Sequence, residues 1–182
     1  MKLKDLHKIT KMHPTAFENA QKFYDKYIKG KFDNNAVVLE FGSYDVNGTL
    51  KPIFISHKYT GLDMEQGPNV DIVANSHSVP LDNASVDVII SSSNFEHDDQ
   101  FWVTFLEMCR LIKEGGYIYI CAPSTGMYHG YPGDCWRFYA DSWKALEKWA
   151  KQNNQNISLV ESYIDPRDHW KDSIGIFIKN QA

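Results

Sequence analysis

The segment VVLEFGSYDVNG, Val37 to Gly48, decides the fold because an apolar run passes directly into a glycine turn. Val37 to Phe41 is short and apolar, as in parallel strands that are covered on both faces. Glu40 lies near the end of this run, Gly42 permits a tight backbone turn under a ligand, and Ser43 offers a further small contact. The segment therefore predicts the first strand of a ligand-binding α/β sheet.

Similar runs and helical patterns alternate along the rest of the chain. Further strands are predicted at Tyr59 to Asp63, Val70 to Ala74, Val86 to Ser91 and Tyr117 to Ala122. Helices are predicted at Thr15 to Lys29 with a Thr15–Glu18 capping box, at Asp99 to Lys113 before a Gly115-Gly116 stop, and at Ser142 to Lys151 with Asp141 as the cap.

Two final strands, Ile157 to Ile164 and Ser173 to Lys179, are joined by the short polar segment DPRDHWKD. This connection is too short for a right-handed helical crossover, so the two strands are expected to pair antiparallel. Five parallel strands followed by such a pair differ from an ordinary dinucleotide fold.

Composition limits the class of protein. The 182 residues suit a single domain, taken as 1–182 with a helical extension over 1–35, and 43% apolar residues suit an ordinary globular core. The net charge of −4 disfavours nucleic acid and anionic lipid as partners, and no apolar run is long enough to span a membrane. Three cysteines without a CxxC pair indicate reduced thiols, so we expect a cytoplasmic protein, either monomer or homodimer.

The glycine turn favours a cationic ligand over a dinucleotide. An NAD site needs the spacing GxGxxG, but here Tyr44 and Val46 crowd the approach and Asp45 repels phosphate. S-adenosylmethionine has no phosphate and carries a sulfonium cation and an ammonium group. Asp63, about 20 residues further on, is placed to accept both hydroxyls of a ribose.

Four further motifs follow the glycine turn along the chain. They are KYTGLDM (58–64), GPNVDIVAN (67–75), SVDVIISSSNFEH (85–97) and EGGYIYICAPS (114–124). The succession closely resembles class I S-adenosylmethionine-dependent methyltransferases over residues 36–180. GSYDVNG, GPNVD and HGYPGDCWRFY are similar to a subgroup of small bacterial and phage enzymes, some of which resemble enzymes of sugar or surface-polysaccharide pathways.

The resemblance implies a fold and a set of cofactor contacts. The fold is a three-layer Rossmann-like sandwich with a seven-stranded mixed sheet of order 3-2-1-4-5-7-6, in which strand seven is antiparallel. Residues implied at the cofactor are Glu40, Gly42, Ser43 and Tyr44 beside the methionine part, Asp63 on the ribose, Met64, Asn75, Ser76 and His77 around the adenine, and Ser92 near the reactive end. Asn75 replaces the family's commoner aspartate, and the usual three-glycine loop is incomplete.

Acceptor residues are expected in the loops after strands four and five. Asn94 and His97 follow the fourth strand, and the loop from Ala122 to Ser142 holds the aromatic and charged side chains that suit a polar ring such as a sugar or nucleoside. The substrate residues predicted there are Tyr128, Tyr131, Asp134, Trp136 and Arg137. His129 is favoured over His97 as catalytic base, although His97 fits equally a helix-start histidine bonded to backbone.

Methyl transfer to oxygen or nitrogen of a small molecule is the function that these residues favour. No metal is expected, because His97, Asp98 and Asp99 suit helix capping better than coordination. Three alternatives stay open: an enzyme that binds S-adenosylmethionine and cleaves it, a nucleotide-dependent oxidoreductase, and a catalytically inactive partner subunit.

Overall fold

A computed structural model describes residues 12–181 of the chain. A single seven-stranded sheet runs through the molecule in the order β3-β2-β1-β4-β5-β7-β6. Its strands are β1 (Val37–Phe41), β2 (Lys58–Asp63), β3 (Ile72–Val73), β4 (Val86–Ser92), β5 (Ile112–Pro123), β6 (Ile157–Ile164) and β7 (Asp172–Lys179). The α-helices are α1 (Pro14–Phe23), α2 (Phe101–Leu111) and α3 (Ala140–Gln152).

The pairing confirms the predicted sheet. β1 pairs in parallel with β2 and β4, β2 with β3, and β4 with β5. β7 is antiparallel to both β5 and β6. The β6–β7 connection is a short hairpin-like turn, as the length of the polar segment required.

Two apolar cores cover the two faces of the sheet. On one face, Phe105 and Met108 of α2 and Trp143 of α3 pack on alternate residues of the central strands. On the other, Phe17 and Phe23 of α1 pack with residues of the segment after β1. The result is the expected three-layer sandwich.

Two predicted helix caps are wrong. α1 begins after His13, which makes no side-chain cap bond, and the Thr15 hydroxyl instead donates to Asp172 Oδ2 at 2.6 Å. At α3 the cap is Tyr139, whose N–H donates to Ser142 Oγ at 3.0 Å, while Asp141 is an exposed ion-pair partner of Lys144. The Thr15 hydroxyl therefore makes a tertiary contact with the start of β7 and does not cap the helix.

Three boundaries also differ from prediction. The first helix is α-helical only to Phe23 and continues as a π-helical segment over Tyr24–Ile28. α2 ends at Leu111 and not at Lys113, because Ile112 pairs with Val86 of β4 and so starts β5 directly. Gly115, with φ +77°, therefore lies within a strand and does not stop a helix.

The thiols follow the prediction, since Cys109 and Cys121 are buried, Cys135 is exposed, and all three are free. None of the helices within residues 12–181 has the length and apolar character needed to cross a membrane.

Candidate functional site

The order of the sheet reverses between β1 and β4, which creates a crevice outside the carboxyl ends of these strands. Gly42 lies at this point with φ +73°, a conformation that a side chain makes costly. A Cβ on Gly42 would lie 2.6 Å from the side chain of Asn94, which follows β4. The absence of a side chain therefore lets the two strand ends approach closely.

Glu40 lies beneath the glycine turn, with its side chain turned away from solvent. It is 4% exposed, and its Oε2 accepts hydrogen bonds from the Tyr59 hydroxyl and from Asn69 Nδ2, the latter at 3.4 Å. Asn69 Nδ2 also lies 3.2 Å from the carbonyl oxygen of Ser43. We call Glu40, Tyr59 and Asn69 the anchoring cluster, because they tie β1 and β2 to the backbone of the turn.

Asp63 ends β2 and faces the turn. Its two carboxylate oxygens accept the backbone N–H groups of Tyr44 and Glu65, each at 3.1 Å. The side chain of the neighbouring Met64 is 66% exposed. The ring of Tyr44 packs over Gly67, where a Cβ would meet it at 2.1 Å. Asp63 is thus held in place while its remaining lone pairs stay available to a ligand.

The predicted adenine-side residues form a turn after β3. Asn75 Oδ1 accepts the backbone N–H of His77 at 2.8 Å, and Ser76 lies half-buried between them. The His77 ring is engaged elsewhere, since its Nε2 lies 3.0 Å from Asp98 Oδ1. The turn therefore presents its backbone, and not the imidazole, to the crevice side.

Ser92 and Asn94 supply unpartnered polar atoms beside the crevice. Ser92 Oγ and Asn94 Nδ2 are both buried and have no hydrogen-bond partner among residues 12–181. Buried polar atoms of native proteins usually find a partner, so two orphans at a strand end point to a ligand. Ser43 Oγ is a third such atom, but it lies against Gly61 within the sheet.

A second group of polar side chains lies beyond Asn94. We call Glu96, His97 and His129 the Glu–His cluster. Both imidazole Nε2 atoms face Glu96 Oε1, that of His97 at 3.8 Å and that of His129 at 3.9 Å. Burial raises the pKa of Glu96 to about 8, and burial lowers the pKa of His97. The structure thus brings together the two histidines that the sequence proposed as alternatives.

Residues 124–139 form a long loop that holds this cluster. Asp134, whose side chain is 2% exposed, accepts the backbone N–H of His129 at 2.9 Å and pairs with Arg137. Hydrogen bonding from the Arg137 guanidinium holds the pKa of Asp134 well below its usual range. Arg137 also donates to the carbonyl oxygen of Met127 at 3.1 Å, so Asp134 and Arg137 close the loop upon itself.

The aromatic residues of the long loop have separate positions. Tyr128 and Tyr131 are 77% and 57% exposed. The Trp136 indole donates to the carbonyl oxygen of Asp98 at 2.9 Å and contacts the ring of Phe101, which fixes the loop to the start of α2. Trp136 therefore has a structural contact, while the two tyrosines are free to meet another molecule.

Sequence reasoning missed Glu96. It adjoins His97 in a mainly polar stretch, and no spacing distinguishes it from a surface carboxylate. Only the long loop, which returns 33 positions later in the chain (129 − 96), places His129 against it.

Comparisons with protein families and with solved structures indicate what the chain is similar to. The family described as "Methyltransferase domain" matches residues 49–120, a span that includes β2 to β4 and most of β5. This match and the order of the sheet support a class I S-adenosylmethionine-dependent methyltransferase. A methyltransferase domain is that of an enzyme, and it implies S-adenosylmethionine as the cofactor.

Solved structures share the fold of the methyltransferase at low sequence identity. A chain in the complex of a Haloferax volcanii methyltransferase activator with a methyltransferase is 15% identical, with a TM-score of 0.62, covering 91% of this chain and 96% of that one. The Burkholderia thailandensis 1,6-didemethyltoxoflavin-N1-methyltransferase, solved with its acceptor and S-adenosylhomocysteine, is 13% identical, with a TM-score of 0.65 and coverages of 92% and 85%.

The cyclase SpnF is 10% identical, with a TM-score of 0.69 and coverages of 91% and 81%. No curated protein matches the sequence significantly.

The residues present in the methyltransferase fit its cofactor. Gly42 lets the ends of β1 and β4 approach closely, Ser92 and Asn94 offer unsatisfied polar atoms there, and Asp63 presents a fixed carboxylate. A carboxylate with free lone pairs suits the two hydroxyls of a ribose. The donor set therefore agrees with S-adenosylmethionine.

Proposed function

We propose that the methyltransferase acts on an oxygen or nitrogen of a small polar acceptor, with a sugar or nucleoside ring as the preferred class. The observation that carries this proposal is the Glu–His cluster, which lies past the crevice and beneath a loop that presents Tyr128 and Tyr131 to solvent. Aromatic rings beside charged and imidazole groups suit a polar ring. The net charge of −4 supports a small molecule over nucleic acid, and we propose a cytoplasmic monomer or homodimer.

Within this proposal, cofactor and acceptor have separate residues. Asp63 holds the ribose. The adenine lies beside the exposed Met64 and the turn at Asn75, Ser76 and His77. Gly42 and Ser92 border the methionine part. Glu40 and Ser43 act from beneath the turn as positioning residues. Asn94 lies between the two halves of the site.

Acceptor residues come from the long loop and the segment after β4. Tyr128 and Tyr131 contact the acceptor ring, and His97 and His129 activate the attacking atom. Asp134, Arg137 and Trp136 keep the loop in place around them.

Bound S-adenosylmethionine supplies a methyl group, which the lone pair of the acceptor takes as the carbon–sulfur bond breaks and its electron pair returns to sulfur. The chain's residues align the acceptor and exclude water, which is the main contribution of an enzyme to such a displacement. An acceptor hydroxyl also has to lose its proton, and the Glu–His cluster is where we place that step.

Turnover with a set of acceptors tests the proposal. The protein is incubated with methyl-labelled S-adenosylmethionine and separate pools of nucleotide sugars, free sugars and nucleosides, and both the labelled product and S-adenosylhomocysteine are quantified. We expect label in one of these pools, in equal amount to the S-adenosylhomocysteine formed. Label found only in nucleic acid or protein from a total extract would contradict the small-molecule assignment.

A second candidate is an enzyme that binds S-adenosylmethionine without transferring its methyl group. The similarity in fold to the cyclase SpnF favours it, because it shows that this fold also carries chemistry named other than methyl transfer. Cofactor affinity without labelled product or S-adenosylhomocysteine in any acceptor pool would favour this alternative, and a partner subunit without activity of its own would behave in the same way.

A further inference from the structure

Two imidazole nitrogens and one carboxylate oxygen converge in the Glu–His cluster. The ligand atoms of Glu96, His97 and His129 all lie within 4.8 Å of one another. At 3.8 and 3.9 Å, the gaps from Glu96 Oε1 to the two Nε2 atoms are too long for hydrogen bonds. They leave room for an ion between the three groups.

The opposite nitrogen of each ring faces an oxygen acceptor, and Arg137 Nη2 also lies 3.4 Å from His129 Nδ1. His97 Nδ1 bonds to the carbonyl oxygen of Gly133, and His129 Nδ1 lies 3.2 Å from Asp134 Oδ2. An Nδ1 that donates its proton leaves the Nε2 lone pair of a neutral imidazole directed at the cluster. Metal-binding histidines are oriented by this same pairing with a carbonyl or carboxylate.

Glu96 has no direct ion pair with a lysine or arginine among residues 12–181, although the Arg137 guanidinium attracts its carboxylate from a greater distance. Its side chain is 1% exposed, and its Oε2 has no hydrogen-bond partner in this part of the chain. A buried carboxylate without a counter-charge in direct contact is costly, and a bound cation removes that cost.

We propose that Glu96, His97 and His129 bind one divalent transition-metal cation. Two imidazoles with one carboxylate match a Zn²⁺ site with an open position, whereas Mg²⁺ and Ca²⁺ prefer oxygen ligands alone. Bonds of about 2.0–2.1 Å to such an ion require the three ligand atoms to move inward by a few tenths of an ångström.

A second group of possible ligands is already satisfied. His77 Nε2 and Asp98 Oδ1 are in direct contact at 3.0 Å. Asp98 also accepts from the backbone N–H of Gln100 and from the Thr104 hydroxyl. Because His77 and Asp98 are already paired with each other, His77→Ala serves as the control variant.

The bound cation has a role that rests on the proposed function. The His129 side chain is 34% exposed, so the site is open on the side of the long loop. A cation there lowers the pKa of an acceptor hydroxyl that contacts it, and the proton leaves to solvent. The binding of the metal itself does not depend on the identity of the acceptor.

Metal binding by the full chain tests the inference. After removal of metals with a chelator, Zn²⁺ is titrated by calorimetry and Co²⁺ by visible absorption. We expect one ion per chain, and at least tenfold weaker binding in Glu96→Gln and in His129→Ala, with His77→Ala unchanged. Thermal melts show that each variant is folded.

The possible failures are distinguishable. Absence of stoichiometric binding, unchanged affinity in both cluster variants, or an equal loss in His77→Ala would overturn the metal site. If the metal-free protein still labels an acceptor pool in that case, the proposed function stands without the metal. If the metal binds but no acceptor pool is labelled, the site stands and the proposed function fails.

Discussion

The Asp63 carboxylate is fixed at the end of β2 by two backbone N–H groups and keeps lone pairs for a ligand. A charge-assisted hydrogen bond is worth about 1.5–3 kcal/mol. We therefore expect Asp63→Ala to weaken S-adenosylhomocysteine binding about tenfold or more, as measured by calorimetry. Glu65→Ala, which changes the exposed neighbour, is the control and should bind normally. An unchanged affinity in Asp63→Ala would remove the ribose assignment.

Glu40 makes the stability of the protein depend on pH. Burial raises its pKa from an ordinary value of 4.5 to about 8. Between these two values the folded state keeps a proton that the unfolded state has lost, so this group makes the free energy of unfolding fall as pH rises, by about 1 kcal/mol per pH unit. Above the pKa of Glu40 in the folded state, this contribution to the free energy of unfolding is lost completely.

Glu40→Gln removes this titration. As the pH rises from about 5 to 8, the free energy of unfolding of the variant should increase relative to that of the parent by a few kcal/mol, on the order of 3. Urea denaturation at several pH values measures both proteins, and other titrating groups cancel in the difference. Parallel pH profiles would show that Glu40 is already ionised in the folded protein.

At the scale of elements, the long loop depends on one buried ion pair. Asp134 binds Arg137 and the backbone of His129, and removal of one partner from a buried pair leaves the other charge uncompensated. We expect Asp134→Asn to speed amide hydrogen exchange in residues 124–139 at least tenfold, measured by mass spectrometry. S-adenosylhomocysteine affinity should stay the same, because the crevice lies on other elements.

Asp141→Asn is the matched control for this prediction. Asp141 also pairs with a cation three positions away, Lys144, but its side chain is 87% exposed. Exposed pairs contribute little to stability. Equal exchange rates in the two variants would show that the Asp134–Arg137 pair does not hold the loop.

At the scale of the whole molecule, the cofactor site joins elements from both halves of the sheet. A ligand that binds only the folded state adds about 2.7 kcal/mol at 100 times its Kd. For a chain of this length, that corresponds to a rise in Tm of roughly 5–10 °C. Differential scanning calorimetry with S-adenosylhomocysteine should show this rise, and adenosine diphosphate, which carries phosphates, should not. A larger rise with the diphosphate would favour a nucleotide-dependent enzyme.

The sequence by itself determined the architecture. Strands buried on both faces show as continuous apolar runs, and the short DPRDHWKD segment allows only an antiparallel final pair. The glycine turn at Gly42 and the carboxylate at Asp63 were also predictable, because each lies within a few residues of the strand that positions it. These features depend on local chemistry and on chain length.

The tertiary structure alone decided which side chains meet. Thr15 left its expected cap for a contact with Asp172, Ile112 joined β4 and shortened a helix, and the long loop placed His129 against Glu96. Each of these contacts joins positions far apart in the chain, and its energy comes from burial and pairing that no local pattern encodes. For this reason the positions of Gly42 and Asp63 at their strand ends followed from the sequence, and the Glu–His cluster did not.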